Sequence, residues 1–195
     1  MGSDDLRQYL SDHAAAVRAS EALLPDVQRL GQLLCERFAA GNKLLTFGNG
    51  GSAADAQHLA EELIGRFLRD RRPLPAIALT SDGTALTCIA NDYGFADVFA
   101  RQVTALAKPG DLVVGISTSG HSENVLRGFR AAAANGATTI ALLGRGGGKA
   151  LAEVDHALVV PSETASIVQE MHIVVIHMLC EIVDRWAAHP ADGRR

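Results

Sequence analysis

Five short apolar runs, bounded by glycine, serine, asparagine and proline, constrain the fold of this 195-residue chain more than any other feature. They are KLLTF (43–47), PAIALT (75–80), LVVGIS (112–117), TTIALLG (138–144) and HALVVP (156–161). Their apolar residues are continuous and do not alternate with polar ones, which is typical of strands buried on both faces. The runs therefore predict a sheet that is covered by helices on both sides.

Helical patterns flank these runs and fill the intervals between them. Apolar residues recur at spacings of three and four over 4–40, with a break expected at Pro25, and again over 165–188. Shorter patterns lie at 53–67, 83–89, 96–107, 124–134 and 149–153. Alternating strands and helices favour parallel strands joined by right-handed crossovers. We expect one α/β domain over 1–195, a three-layer αβα sandwich of the flavodoxin-like class, with a helical arm over 1–41.

Small polar residues concentrate directly after the five runs, in the segments GNGGS, TSDGT, STSGHS, GRGGG and PSETAS. In an open parallel sheet such segments lie at the carboxyl edge, where α/β proteins bind ligands. GNGGS (48–52) lacks the lysine of a P-loop. Taken alone it favours a tight turn, with Ser52 capping the next helix, over a phosphate site.

The segment STSGHSEN (117–124) favours a sugar-phosphate site. It offers the hydroxyls of Ser117, Thr118, Ser119 and Ser122 together with the free amides of a helix N-terminus. One serine here would be an ordinary loop residue. Four hydroxyls within six residues favour a ligand.

Two helical patterns each carry a histidine with a second polar residue. His58 and Glu62 are four residues apart and share one helix face, with Asp55 on the same side. This pair suits a divalent cation or a general base with its partner, although a solvated pair is commoner on spacing alone. Gln169 and His177 lie eight apart on the last helix, where a buried histidine with one hydrogen bond is the usual case. A shared site is favoured because both helices start at the same sheet edge.

Composition argues against several classes of partner. The formal net charge is −4, from 18 basic and 22 acidic residues, and no stretch concentrates Lys and Arg, so we expect no nucleic acid partner. Cys35, Cys88 and Cys180 are odd in number and far apart, which indicates reduced thiols in a cytoplasmic protein. We find no export signal and no uninterrupted apolar run as long as a bilayer span, so we expect no membrane association.

Four separated segments together resemble the phosphoheptose isomerases, a family of the sugar isomerase (SIS) domain superfamily. They are GNGGSAADAQHLAEEL, ANDYGF, GDLVVGISTSGHSENV and IVQEMHIVVIH, and the similarity covers nearly the whole chain. The resemblance implies an SIS fold with a five-stranded parallel sheet and a homotetramer with active sites between subunits. It also implies conversion of D-sedoheptulose 7-phosphate to D-glycero-D-manno-heptose 7-phosphate through an enediol.

The resemblance further implies roles for individual residues. The zinc ligands of the family fall on His58, Glu62, Gln169 and His177, with Glu62 as the base and His177 as the partner acid/base. The sugar-phosphate contacts fall on Asn49, Gly50, Gly51, Ser52, Glu62, Asn91, Asp92, Ser117, Thr118, Ser119, Ser122 and Gln169. One Zn²⁺ in each subunit would polarise the sugar carbonyl or the developing enediolate oxygen.

A second interpretation is a non-catalytic SIS protein that binds the replication initiator. That relative lacks the pairing of a helical glutamate with a histidine on the last helix, so Glu62 and His177 favour the enzyme. A third class, the sugar-phosphate-sensing regulators, usually adds a basic helix-turn-helix domain. The residues before the first strand are too few and too acidic for one.

Overall fold

The computed structural model describes residues 2–189. Five strands form one sheet: β1 Leu44–Gly48, β2 Ala76–Ala78, β3 Leu112–Ser117, β4 Thr138–Leu143 and β5 His156–Val159. Within the described residues the α-helices are α1 Ser3–Ala19, α2 Leu24–Ala39, α3 Gly51–Ile64, α4 Gly83–Tyr93, α5 Ala100–Leu106, α6 Glu123–Ala134 and α7 Ala165–Ala188. Shorter 3₁₀ helices span Ser20–Leu23, Phe95–Asp97 and Arg145–Ala152.

All neighbouring strands are parallel, in the order β2-β1-β3-β4-β5. This is the flavodoxin-like order, in which the ligand site lies where the strand order reverses, between β1 and β3. The last residue of β1, Gly48, pairs with Ile116, one residue before the end of β3. The two loops that follow these strands therefore leave the sheet side by side. The predicted three-layer α/β fold is confirmed.

Separate apolar clusters cover the two faces of the sheet. On one face, Leu44 and Leu112 pack with buried residues of α2, α3 and α7. On the other face, Leu45 and Val113 pack with residues of α5 and α6, around the stacked rings of Phe47 and Phe99. Because adjacent residues of one strand point to opposite faces, each strand must be apolar throughout. This double burial explains the continuous apolar runs.

Two details of the helical predictions need correction. Residues 149–152 of the segment predicted as a helix over 149–153 belong to the 3₁₀ segment Arg145–Ala152, because Gly146, Gly147 and Gly148 have positive φ values that interrupt an α-helix. The break expected at Pro25 comes earlier, at Ser20–Leu23. Pro25 lies in the first turn of α2, where its missing N–H leaves no helical hydrogen bond unmade.

Helices α1 and α2 occupy the predicted arm over 1–41, and α2 packs closely on α7 where Gly31 meets Ile182. A single domain over 1–195 stays a prediction. Helix α7 is long and apolar enough to cross a bilayer by length and composition, although half of its most apolar window is buried inside the protein. Counting uninterrupted apolar residues missed this property, because polar and charged residues, among them Gln169, His172 and His177, interrupt the apolar sequence of α7.

Candidate active site

Three side chains from α3 and α7 meet in one place. Nε2 of His58 lies 2.9 Å from Nε2 of His177 and 3.5 Å from Oε1 of Glu62. One nitrogen or oxygen atom from each residue lies within 4.8 Å of the other two. All three side chains are half-buried, so a small ligand can reach them. We refer to them as the His58–Glu62–His177 group.

Packing between α3 and α7 assembles this group. His58 and Glu62 are one turn apart on α3, so both project towards the same neighbour. Leu59 and Leu63 of α3 are buried in one apolar cluster with Ile176 of α7, which draws the two helices together. The structure thus joins the His/Glu pair of α3 to a histidine of α7, as the sequence predicted.

The distances within the group fit a small divalent cation. Bonds from zinc to nitrogen or oxygen are near 2 Å, so two ligand atoms on tetrahedral zinc lie about 3.3 Å apart. The separations of 2.9 and 3.5 Å fall on either side of that value. Two imidazoles and one carboxylate are also a known donor set of catalytic zinc sites, which keep a fourth position open. The residues present therefore fit a metal ion.

Neighbouring side chains orient the two imidazoles. Oε2 of Glu61 lies 3.4 Å from Nδ1 of His58, which favours the proton on Nδ1 and leaves the Nε2 lone pair facing the group. The ring of Phe67 lies 5.4 Å from the ring of His177, between centroids, and is tilted by 31°. Both imidazoles are thereby directed towards the same point.

Gln169 lies against the start of α3. Its side-chain amide covers the backbone of Gly51 so closely that a Cβ atom there would overlap it. Gly51 precedes His58 by seven residues, or about 10 Å of helix axis. The structure therefore places Gln169 at the glycine loop, and its role as a zinc ligand stays a prediction.

The glycine loop makes a tight turn from β1 into α3. Gly50 occupies the N-cap position of α3 with φ of 56°, a backbone conformation that favours glycine. Ser52 lies inside the first turn and is buried, with 6% of its surface exposed. The predicted helix cap at Ser52 is therefore wrong, because Gly50 takes that position.

The hydroxyl-rich loop after β3 is organised around the start of α6. The hydroxyl of Ser117 accepts a hydrogen bond from the amide of Gly120 at 3.0 Å, and that of Ser119 accepts one from His121 at 3.3 Å. Ser122 occupies the N-cap position, yet its hydroxyl makes no capping bond within the described chain. The first amides of a helix lack intrahelical partners. The loop thus offers hydroxyls, including Thr118, beside helix amides, as an oxyanion requires.

A pair of asparagines joins the two loops, and sequence reasoning missed one of them. Nδ2 of Asn49 donates to Oδ1 of Asn124, and Nδ2 of Asn124 donates to Oδ1 of Asn49, both at 2.8 Å. Asn124 is buried at the start of α6. The position of Asn124 in the segment STSGHSEN was the one signal that it belongs to the site. The sequence does not show that its side chain binds an asparagine 75 positions away. The pair fixes the distance between the loops.

Asn91 and Asp92 lie on α4, and both are exposed. The side-chain amide of Asn91 donates to Oδ1 of Asp92 at 2.7 Å, and the thiol of Cys88 lies 3.6 Å from Oδ2. Every described residue of α4 keeps some exposure. These contacts do not bring the two residues to the hydroxyl loop, and their contact with substrate stays a prediction.

Two buried titratable residues lie one turn or more from the group. Burial raises the pKa of Asp55 to about 6, while nearby His58 acts in the opposite direction. Its Oδ2 atom has no hydrogen-bond partner among the described residues. Burial lowers the pKa of His172 to about 4, partly offset by the hydrogen bond that its Nε2 donates to the Leu143 carbonyl at 3.1 Å. His172 is therefore neutral near pH 7.

Comparison with known proteins places this chain in a family. The SIS domain model matches residues 8–144. A phosphoheptose isomerase of Trichlorobacter lovleyi is 51% identical over 181 residues, which is 92% of this chain and 92% of that protein. The chain belongs to the phosphoheptose isomerase family of SIS domain proteins. A member from Aquifex aeolicus is 58% identical over 144 residues, covering 74% of this chain and 75% of its own length. The family predicted from the four segments is confirmed.

Solved structures agree with this assignment. The phosphoheptose isomerase of Francisella tularensis has a TM-score of 0.91 at 37% identity, covering 95% of this chain and 100% of its own. That of Neisseria gonorrhoeae has a TM-score of 0.88 at 41% identity, covering 93% of this chain and 98% of its own. The sugar isomerase domain of an RpiR transcription factor from Sphaerobacter thermophilus, at 19% identity and a TM-score of 0.65, shares the fold alone.

Proposed function

We propose that this chain is an aldose/ketose isomerase that converts D-sedoheptulose 7-phosphate to D-glycero-D-manno-heptose 7-phosphate through an enediol. The observation that carries the proposal is the His58–Glu62–His177 group, which combines a carboxylate with two imidazoles. Isomerisation moves a proton between neighbouring carbons and needs a base together with an acid. Family membership supplies the substrate class.

The two loops at the switch point would hold the sugar phosphate. We assign the phosphate to the hydroxyls of Ser117, Thr118, Ser119 and Ser122 and the helix amides next to them. Asn49, Gly50, Gly51 and Ser52 would lie along the sugar, with Gln169, Asn91 and Asp92 as further contacts. Support comes from the Asn49–Asn124 pair, which keeps the loops at a fixed distance.

Glu62 and His177 would move the protons. Glu62 takes the proton from the carbon next to the ketone, the electrons of that C–H bond form the enediol, and Glu62 returns the proton to the neighbouring carbon. His177 exchanges a proton with the substrate oxygens on the other side. A carboxylate has two oxygens, so one can face His58 while the other accepts the proton.

One zinc ion in each subunit is the metal that best suits this donor set. We propose His58, Glu62 and His177 as ligands, with Gln169 as the fourth from the family resemblance. Bound zinc would polarise the sugar carbonyl and stabilise negative charge on its oxygen. The fit of the 2.9 and 3.5 Å separations supports the assignment.

We further propose that the protein works as a homotetramer in the cytoplasm, with small-molecule sugar phosphate as its partner and neither nucleic acid nor membrane. Leu6, Leu10 and Val17 form an exposed apolar stripe on α1, which suits contact with another subunit. A groove of about 700 Å³ beside His177 and Phe67 opens in the same helical layer. The three free thiols suit a reducing compartment.

The proposal is tested by incubating purified protein with sedoheptulose 7-phosphate and following aldose formation. We expect turnover that falls after chelation and returns with zinc. Absence of turnover with zinc supplied, together with tight binding to the replication initiator protein, would establish the non-catalytic alternative instead. The relatives compared above carry the isomerase name and give that alternative no support.

A further inference from the structure

A buried ion pair lies behind the His58–Glu62–His177 group. Nε of Arg71 lies 3.1 Å from Oδ1 of Asp184, and the two side chains are only 1% and 0% exposed. Two buried charges are costly unless their remaining polar atoms are also hydrogen-bonded. Neither residue belongs to a motif of the sequence. The bonds that these two side chains make indicate their role.

Arg71 binds the end of α3. One guanidinium nitrogen, Nη2, donates to the carbonyl of Glu62 at 2.6 Å, and Nη1 donates to those of Leu63 at 2.8 Å and Gly65 at 3.0 Å. The last carbonyls of a helix have no intrahelical partners, and a cation is favourable there. Arg71 therefore fixes the turn from which the Glu62 side chain projects.

Asp184 binds the same region from α7. Its Oδ2 atom accepts the backbone amides of Leu68 at 3.2 Å and Arg69 at 2.7 Å. These amides follow Phe67, whose ring packs on His177. Asp184 itself comes seven residues after His177, so the two side chains project from one face of α7, about 20° apart. The carboxylate of Asp184 thus ties α7 to the segment that packs on His177.

We propose that the Arg71–Asp184 pair is a positioning device, which sets the rotation and spacing of α3 against α7 so that His58, Glu62 and His177 converge before a metal ion binds. The inference rests on the proposed metal site. Neither charged group touches the ligand atoms. Each acts through backbone: Arg71 through the carbonyl of Glu62, Asp184 through the amides next to Phe67. Groups that orient metal ligands from behind typically change metal affinity 10- to 100-fold.

The test compares Asp184→Asn and Arg71→Lys with a matched control, Asp111→Asn. Asp111 is also a buried carboxylate that accepts two backbone amides, from Lys43 at 3.0 Å and Lys108 at 2.8 Å, but among the described residues it makes no hydrogen bond or ion pair to α3 or α7. Zinc affinity of each full-length protein is measured by chelator competition. The visible spectrum of the cobalt-loaded protein reports ligand geometry, which a loss of stability alone does not alter.

We expect zinc affinity to fall by about 10- to 100-fold in both pair variants, with a changed cobalt spectrum, and to stay within about twofold of the parent in Asp111→Asn. Pair variants that bind zinc and cobalt as the control does would overturn the inference and leave the proposed function standing. A parent protein that binds no zinc would overturn the inference together with the proposed zinc site, while turnover of sedoheptulose 7-phosphate tests the isomerase activity separately. If circular dichroism shows that Asp184→Asn does not fold, Arg71→Lys, which keeps the positive charge, decides.

Discussion

Nε2 of His58 and Nε2 of His177 face each other at 2.9 Å. At that distance at most one of the two nitrogens can carry the proton between them, and a cation that takes both lone pairs removes it altogether. The contact therefore places one nitrogen from each of two helices where a single cation can bind both. It also defines the first variant to make.

Changing His177 to Gln removes one imidazole from this contact. We expect the zinc content of unchelated protein to fall from about one per subunit to a small fraction, because the remaining His58 and Glu62 lie on one helix and no longer enclose the ion. Elemental analysis measures this directly. His156→Gln is the control, since His156 lies at the start of β5, at the far edge of the sheet, and contacts Arg29. Equal zinc content in the two variants would contradict the assignment.

Glu62→Gln keeps the shape of the side chain and removes the base. We expect kcat to fall by about 100- to 10,000-fold, the range that general-base catalysis supplies. Glu36→Gln is the control, because Glu36 is an exposed carboxylate on α2 and lies outside the site. Zinc content measured on the same samples separates the loss of a ligand from the loss of a base. Near-parental turnover in Glu62→Gln would exclude Glu62 as the base.

Gly51→Ala tests the position of Gln169. The added methyl would overlap the Gln169 amide, a movable side-chain end, so that amide should shift while the fold persists. Alanine also loses less backbone conformational freedom on folding than glycine does. We therefore expect an unchanged or higher midpoint of thermal unfolding together with at least about a tenfold loss of kcat/KM, within the range seen when a positioning group is displaced. Gly83→Ala, in open space at the start of α4, should keep full activity.

The lowered pKa of His172 predicts that the folded protein loses stability in mild acid. Its pKa is about 4 in the folded protein, against about 6.5 when unfolded, so protonation favours the unfolded chain. The contribution to the free energy of unfolding is complete above about pH 6.5 and falls as the pH drops towards 4, by about 2 kcal/mol between pH 7 and pH 5. Urea unfolding of parent and His172→Gln at both pH values measures it. The difference between the two proteins isolates His172.

That subtraction matters because Asp55 titrates with the opposite sign. Its pKa is raised to about 6 by burial, so the folded protein gains stability as the pH falls from 6 towards 4. The variant His121→Gln, on the exposed loop after β3, serves as the control. A His172→Gln curve parallel to that of the parent would contradict the depressed pKa of His172.

Local sequence signals were sufficient for most of the fold. The bounds of β3 and α7 matched the predictions, because each element is a strong apolar pattern bounded by turn or capping residues. The 3₁₀ segment at Arg145–Ala152 differed from the predicted helix because three glycines adopt positive φ. Glycine permits this conformation, but the sequence alone does not show that the chain adopts it here. The order of the strands in the sheet depends on how the crossover helices pack. The sequence pattern left a few possible strand orders, and the flavodoxin-like order was assumed among them.

Sequence spacing revealed half of the candidate site. The pairing of His58 with Glu62 follows from helix geometry alone, but the approach of His177 depends on how two helices separated by four strands pack together. Arg71 escaped notice for a related reason. It lies in a segment without periodicity, and its partner Asp184 is 113 residues away. Contacts of this kind leave no local pattern to recognise.

Helix α7 carries Gln169, His177 and Asp184 on a single rigid rod, so their separations are set by residue count and cannot adjust independently. From Gln169 to Asp184 the rod measures about 22 Å, and each added residue would turn everything beyond it by about 100°. One insertion between His177 and Asp184 would swing the carboxylate away from Arg71. Insertions and deletions in this protein should therefore be confined to its loops and ends, because the number of residues in α7 fixes the spacing of these three side chains.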